Sequence, residues 1–179
     1  PYPASSFEDA LDLGTAIMKL AAGEKVRRLT LLEKMGKSAT SGPTRQMITN
    51  SGKYGITTGS YAAEYLELTP TGAVSVNPDK TELERRKASF TLAIESIAPF
   101  KLLYEHYKGK RLPEREIIKD VLRDSGTEIP DLDECVDTFI VNAKFVGLLR
   151  TIGDRPLVFA IARVVSNWNS PHGFFCDRT

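Results

Sequence analysis

The chain has 179 residues, 41% of them hydrophobic, and a formal net charge of +1. This length suffices for one ordinary domain or two small ones, and the composition argues against a disordered chain. No apolar run approaches the roughly 18 to 20 residues that a membrane span needs, and no signal sequence opens the chain. The charge balance is too even to indicate nucleic-acid binding, so an electrostatic argument depends on where the charges lie.

Cysteine usage and motif content argue against an enzyme. Cys135 and Cys176 form neither a CxxC motif nor a Cys/His cluster, which favours a reducing cytoplasm over a disulfide framework. The sequence contains no phosphate-binding loop, dinucleotide fingerprint, HExxH or GxSxG motif, so we expect no catalytic, metal or cofactor site. The tail places Trp168, His172 and Asp177 around Cys176, but without an identifiable orienting group we expect these residues to close a core or begin another domain.

The first half predicts three helices in succession. The first spans residues 6–22 with Ser6 as its N-cap, and the second, within 24–36, ends at Gly36. The third begins at Ser41 or Gly42, because Pro43 suits a first helical turn, and runs to about Tyr54. Apolar side chains at helical spacing are expected to face inward: Ala10, Leu13, Ile17, Leu20, Val26, Leu29, Leu32, Met35, Ala39, Met47, Ile48 and Tyr54.

A β-hairpin is predicted after the third helix. Gly59, Pro70 and Gly72 are turn signals, and strand-compatible residues lie between or beside them. Those residues are Tyr65, Leu66, Leu68 and Val74. The polar segment 77–87 then predicts a connection, with a domain boundary near residue 80.

The second half repeats the order of elements. Residues 84–109 predict a helix interrupted near Pro99, and a further helix follows Pro113. Residues 131–149 predict a third helix with Asp131 or Asp133 near its N-terminus, and Gly153 with Asp154 indicates a hairpin between two apolar runs. The expected inward residues are Ile117, Ile118, Val121, Leu122, Val136, Phe139, Ile140, Ala143 and Val146.

These patterns predict a mainly α protein with small β-wings, built from two tandem winged-helix-like units. The first unit covers residues 5–78 and the second 82–160. A C-terminal extension, 161–179, ends on apolar and aromatic residues, so we expect it to begin a further domain.

Two stretches resemble a known family. "LLEKMGKSATSGPTRQMITNSGKYGIT" with "LELTPTGAVSV" is similar to the N-terminal winged-helix unit of a set of poorly characterised prokaryotic proteins, and "APFKLLYEHYKGKRLPEREIIKDVL" is similar to their second helical unit. The resemblance covers about residues 5–150. It implies a tandem winged-helix fold but no particular function, because winged helices act as DNA readers, dimerisation units and protein docks.

Charge in the first unit favours DNA. Residues 24–56 carry seven basic residues against two acids, a net charge of +5. A helix N-terminus attracts phosphate, while arginine and asparagine can pair with guanine or adenine in the major groove. The expected contacts with double-stranded DNA are Arg27, Arg28, Lys34, Lys37, Thr44, Arg45, Thr49, Asn50 and Lys53. The alternative is that these cations form an ordinary solvated face.

The second unit points away from DNA. Residues 131–144 hold Asp131, Asp133, Glu134 and Asp137 against Lys144, a net charge of −3, which phosphates would repel. This helix is a scaffold, a dimer contact or a dock for a basic partner, or else a helix whose early acids simply complement its dipole. The competing prediction for the whole chain is therefore a protein-interaction or dimerisation module. A homodimer presenting two basic helices about 34 Å apart would favour DNA.

Overall fold

A computed structural model describes residues 2–152 and 155–159 of the chain. These residues form eight α-helices, one π-helical turn and five short strands, so the prediction of a mainly α protein is confirmed. Residues 161–179, predicted as a C-terminal extension, and the turn residues Gly153 and Asp154 lie outside the described residues.

The first half contains three helices and a small antiparallel sheet. The sheet has the strand order β1-β3-β2, with Val26 opposite Leu66 and Thr57 opposite Leu68. The third strand in sequence therefore lies between the other two. The elements, in chain order, are α1 (Phe7–Ala21), β1 (Val26–Arg27), α2 (Arg28–Lys34), α3 (Gly42–Lys53), β2 (Thr57–Thr58) and β3 (Tyr65–Leu68).

Helix α1 follows its sequence signals closely. The Ser6 side chain accepts a hydrogen bond from the Asp9 amide at 3.1 Å, as expected of an N-cap. Leu13 and Ile17 are fully buried, but Leu20 is 49% exposed, so its predicted inward position is wrong. Helix α1 ends at Ala21, one turn after the buried Ile17. Leu20 lies in this last turn, away from the core.

The second helix is shorter than predicted. Val26 and Arg27 belong to β1 because their backbone pairs with β3, and α2 begins only at Arg28. Leu29, expected to face inward, is 61% exposed, while Leu31 and Leu32 enter the core. The sequence could not reveal this shift, because a two-residue strand is defined by a partner some forty residues away.

A helix replaces the second half of the predicted hairpin. The residues after β3 form α4 (Pro70–Val76), in which Thr69 is the N-cap and its hydroxyl accepts from the Gly72 amide at 2.9 Å. Val74 is therefore helical and not part of a strand. Gly72 is likewise not a turn residue: a Cβ atom there would lie 2.1 Å from the carbonyl oxygen of Ile56. The missing side chain lets α4 lie directly against the backbone that leads into β2.

A short connection joins the two halves. Residues 77–81 separate α4 from α5 (Glu82–Phe90), which begins with a capping box formed by Thr81 and Glu84. These hydrogen bonds to Thr81 hold the pKa of Glu84 below its usual value. The helical path then continues as a π-helical turn, Thr91–Glu95, before α6 (Ala98–Tyr107). The break predicted near Pro99 is confirmed, since Pro99 lies in the first turn of α6.

The rest of the second half consists of two helices and a hairpin. They are α7 (Arg115–Asp124), α8 (Leu132–Phe145), β4 (Leu149–Ile152) and β5 (Arg155–Val158). Asp131 is the N-cap of α8, and Val136, Phe139, Ala143 and Val146 are buried as predicted. Ile117, however, is 53% exposed because α7 buries Ile118 and Leu122 instead. An isolated antiparallel bridge between Arg111 and Leu157 adds a third segment beside β5.

Buried side chains of both halves belong to one hydrophobic cluster. At its centre the Asn142 side chain of α8 is completely buried; it accepts a hydrogen bond from the Phe7 amide at 2.8 Å and donates one to the Tyr54 hydroxyl at 2.9 Å. Phe7 also stacks edge-on against Phe145 at 5.9 Å. The first and last long helices are therefore joined directly and also through Tyr54, the residue that follows α3, while the domain boundary near residue 80 stays a prediction.

Candidate nucleic-acid interface

The exposed face of α3 is polar and basic. Ser41 caps the helix by accepting from the Thr44 amide, and Ile48 and Ser51 face the core. Opposite that buried face lie six exposed residues with no large apolar side chain among them. They are Gly42, Arg45, Gln46, Thr49, Gly52 and Lys53.

The loop between β2 and β3, residues 59–64, lies beside this face. The Arg45 guanidinium stands over the ring of Tyr61, 5.7 Å from the ring centroid, and Tyr61 is 49% exposed. Gly59 opens the loop with φ +101°, where a Cβ atom would come within 2.6 Å of the Tyr65 carbonyl oxygen. Helix α3 and this loop therefore form one continuous surface.

Arg27 and Arg28 have different surroundings, although they are adjacent in sequence. Arg27 is exposed, 3.7 Å from the Glu64 carboxylate and 5.7 Å from the Tyr65 ring centroid, and these neighbours raise its pKa, the Tyr65 hydroxyl most of all. Arg28 is half-buried, and its Nε donates to the Ala63 carbonyl oxygen at 2.9 Å. Arg28 therefore fixes the loop, whereas Arg27 is open to a ligand.

Two of the predicted DNA contacts are inside the protein. Thr44 is 3% exposed, and its Oγ1 is hydrogen-bonded to Ser41 Oγ. Asn50 is 1% exposed because the N-terminal segment covers it: its Oδ1 accepts from the Ala4 amide and its Nδ2 donates to Ser5 Oγ. Neither side chain is placed to contact DNA, which corrects the sequence-based assignment of both.

The remaining predicted contacts are exposed but differ in their neighbours. Thr49 lies on the outer face of α3, and Lys53 Nζ donates to the Tyr2 carbonyl oxygen at 3.2 Å. Lys34 ends α2, and Lys37 lines a groove of about 320 Å³ between α1 and α3 that also contains Asp9 and Asp12. Lys37 thus shares its groove with two carboxylates.

All four acids between residues 131 and 137, at the start of α8, have partners within the chain. Asp131 caps the helix, Asp133 binds Lys119 at 2.8 Å, Glu134 accepts from the Tyr2 hydroxyl at 2.7 Å, and Asp137 pairs with Arg115. Lys119 lowers the pKa of the Asp133 carboxyl, as expected of an ion pair. These acids stabilise the second half, which favours the structural explanation over an acidic dock for a basic protein.

The described cysteine and the two tyrosines that flank His106 are enclosed. Cys135 is fully buried, and burial raises the pKa of its thiol to about 12. Tyr104 and Tyr107, whose rings could otherwise stack on a base, are both buried. Within residues 2–152 and 155–159, no three His, Cys, Asp or Glu side chains are grouped closely enough to hold a metal ion. The tail residues Trp168, His172, Cys176 and Asp177 lie outside the described residues.

Comparisons with known proteins supply no relative from which a function can be transferred. Searches against protein-family models, curated proteins and solved structures found no match. In the part of the chain that the structure describes, none of the helices has the length and apolar character that crossing a membrane requires.

Proposed function

We propose that this chain is a tandem winged-helix module that binds double-stranded DNA through the outer face of α3 and the loop 59–64. The observation that carries the proposal is the exposed, polar face of α3, with Arg45 beside Tyr61 of the loop. A helix presented in this way fits the major groove, which is about 12 Å wide.

The order of elements supports the winged-helix assignment. In the first half, helix, strand, helix, helix and hairpin succeed each other, and the hairpin's second strand lies beside β1. The second half repeats this order with α6, the bridged residue Arg111, α7, α8 and the β4-β5 hairpin. The second strand of this hairpin, β5, again lies beside the earlier segment, here Arg111. The resemblance to tandem winged-helix proteins, given above, supports the same class.

The proposed binding separates two tasks. Lys53, on the outer face of α3, and the exposed Arg27 of β1 would contact phosphates and set affinity, with Lys34 as a further cation. Thr49 and Arg45 lie on the face that would enter the groove. The second half would act as a scaffold, since its third helix uses its acids in internal contacts.

A salt-titrated fluorescence anisotropy experiment with a labelled random-sequence duplex tests the proposal. The logarithm of the association constant should fall linearly with the logarithm of salt concentration. Arg45→Glu should weaken binding at least tenfold, because it reverses a charge on the contact face. Lys101→Glu, the same change on an exposed position of α6, is the matched control and should bind like the wild type. Absence of binding at low salt, with a folded protein, would refute the proposal.

Protein interaction is the second candidate. It is favoured by Val141 and Phe145, which lie one turn apart on α8 and are 45% and 39% exposed. A dimer formed there would double the mass measured by light scattering, and Val141→Asp would restore the monomer. A monomer at all concentrations would reject the dimer.

A further inference from the structure

We infer that Arg45, held by Tyr61, is a guanine-reading residue, so that the DNA bound by this chain contains a guanine at one fixed position of its site. This inference rests on the proposed function and deepens it. It concerns which base is recognised, whereas the proposal above concerns whether duplex DNA is bound at all.

The position of Arg45 favours a base contact. It is the fourth residue of α3 and lies on the outer face, and residues near the N-terminus of a recognition helix are those that reach base edges. Among the described residues no carboxylate forms an ion pair with Arg45. Its guanidinium is therefore free to pair with a ligand.

Tyr61 holds that guanidinium beside the loop. The guanidinium carbon lies 5.7 Å from the centroid of the Tyr61 ring, within cation–π distance, and a guanidinium held over a ring keeps the N–H groups along its edge available for hydrogen bonds. Two parallel N–H groups match the O6 and N7 acceptors that guanine presents in the major groove. Adenine offers an acceptor and a donor there, so the same arginine edge would lose one of the two bonds.

The loop that carries Tyr61 is itself fixed. The Ala63 amide donates to the Ser60 carbonyl oxygen at 3.0 Å, and Arg28 holds Ala63 and Glu64 through its Nε and its backbone amide, both at 2.9 Å. Tyr61 lies inside this hydrogen-bonded loop. The loop that carries the ring beside Arg45 is thus in place before DNA arrives, which reduces the entropy lost on binding.

A phosphate contact is the competing role for Arg45, and the two roles differ in measurable ways. A phosphate contact strengthens binding to every sequence equally, whereas a bidentate base contact discriminates by about 5- to 150-fold between guanine and other bases. Lysine preserves the charge but not the planar pair of donors. Arg45→Lys therefore separates the two roles.

The experiment selects binding sites from a random duplex library and then measures affinities for the selected duplex and for versions with each other base at the enriched guanine. The wild type should prefer guanine by at least fivefold. Arg45→Lys should lose that preference while its affinity for random duplex changes less than threefold. Tyr61→Ala should weaken the preference, and Tyr61→Phe, which keeps the ring, should retain it.

Two outcomes would overturn the inference while leaving DNA binding established. One is a selected site without a fixed guanine. The other is an Arg45→Lys variant that keeps the wild-type guanine preference. Failure of the wild type to bind any duplex would instead refute the proposed function, so the two failures are distinguishable. Lys101→Ala is the matched control and should select the wild-type site.

Discussion

Gly72→Ala tests the close approach between α4 and the backbone before β2. The added Cβ would lie 2.1 Å from the Ile56 carbonyl oxygen and 2.9 Å from Thr69 Oγ1, so α4 must move by at least about 1.3 Å to reach an ordinary contact distance of 3.4 Å. Two hydrogen bonds resist that movement: the Thr69 amide donates to Ile56 and its hydroxyl donates to the Gly55 carbonyl oxygen at 2.6 Å.

The expected loss combines two opposing effects. Overpacking of this kind costs about 1 to 3 kcal/mol, while alanine gains up to about 1 kcal/mol over glycine in a helix interior. Because the clash is with backbone atoms, we expect a net loss of about 2 kcal/mol in the free energy of unfolding. For a chain of this size the melting temperature should fall by about 4 to 8 °C.

Urea unfolding followed by circular dichroism measures this loss. Gly42→Ala is the matched control, because a Cβ atom at Gly42, in the first turn of α3, has no heavy atom within 4 Å. The control should stay within about 1 kcal/mol of the wild type. A Gly72→Ala protein as stable as the wild type would refute the reasoning, and so would equal losses in both variants.

Three further predictions follow from buried or paired groups. Asn142→Ala should lower the free energy of unfolding by about 2 to 4 kcal/mol in urea titrations, because it leaves the Phe7 amide buried without its acceptor and opens a cavity. Cys135, tested in a Cys176→Ser background, should resist thiol reagents at pH 8 until the protein unfolds, because its thiol pKa is about 12. Lys119→Met should flatten the loss of stability in acid. Because Lys119 lowers the pKa of Asp133, the ionised carboxylate stabilises the fold at pH values above the ordinary carboxyl pKa of about 4. This stabilisation is lost as the pH falls through the lowered pKa. The Lys119→Met variant lacks the ammonium group that lowers the pKa, so it has less stability to lose in acid.

Each of these has a clear contradicting result. An Asn142→Ala loss below about 0.5 kcal/mol would mean that water or a rearranged side chain satisfies the Phe7 amide. Rapid labelling of the native Cys135 thiol would show that the core around it opens readily. Urea midpoints that vary with pH identically in the wild type and in Lys119→Met would show that the Asp133 pair contributes nothing to acid stability.

Local rules predicted several helix starts, because those depend on neighbouring residues. Ser6 caps α1 as predicted, and Ser41 and Asp131, each one of two candidates in the sequence, cap α3 and α8. The segment starting at Pro70 was misread since Pro-Thr-Gly suits both a turn and a capped helix. The helix is favoured by the close packing of Gly72 against the Ile56 backbone, and this contact cannot be read from the neighbouring sequence.

The candidate site could be predicted only in part, for a similar reason. The composition of α3 indicated a basic, polar helix, and Arg45 and Thr49 are indeed exposed. Asn50 is hidden by residues 4 and 5, and a contact across 45 positions has no sequence signal. The role of Tyr61 was missed as well, because the cation–π contact of its ring with Arg45 depends on how the loop folds back towards α3.

The hydrogen bonds of Asn142 limit how this architecture can be recombined. Tandem modules are often assumed to evolve by exchange of whole units. If the first half were joined to a different second half, the Phe7 amide and the Tyr54 hydroxyl would lose the Asn142 side chain to which both are hydrogen-bonded. An apolar residue at that place would leave at least one buried donor unpaired, at a cost of about 1 to 3 kcal/mol. Successful chimeras should therefore carry position 142 of α8 together with the first half.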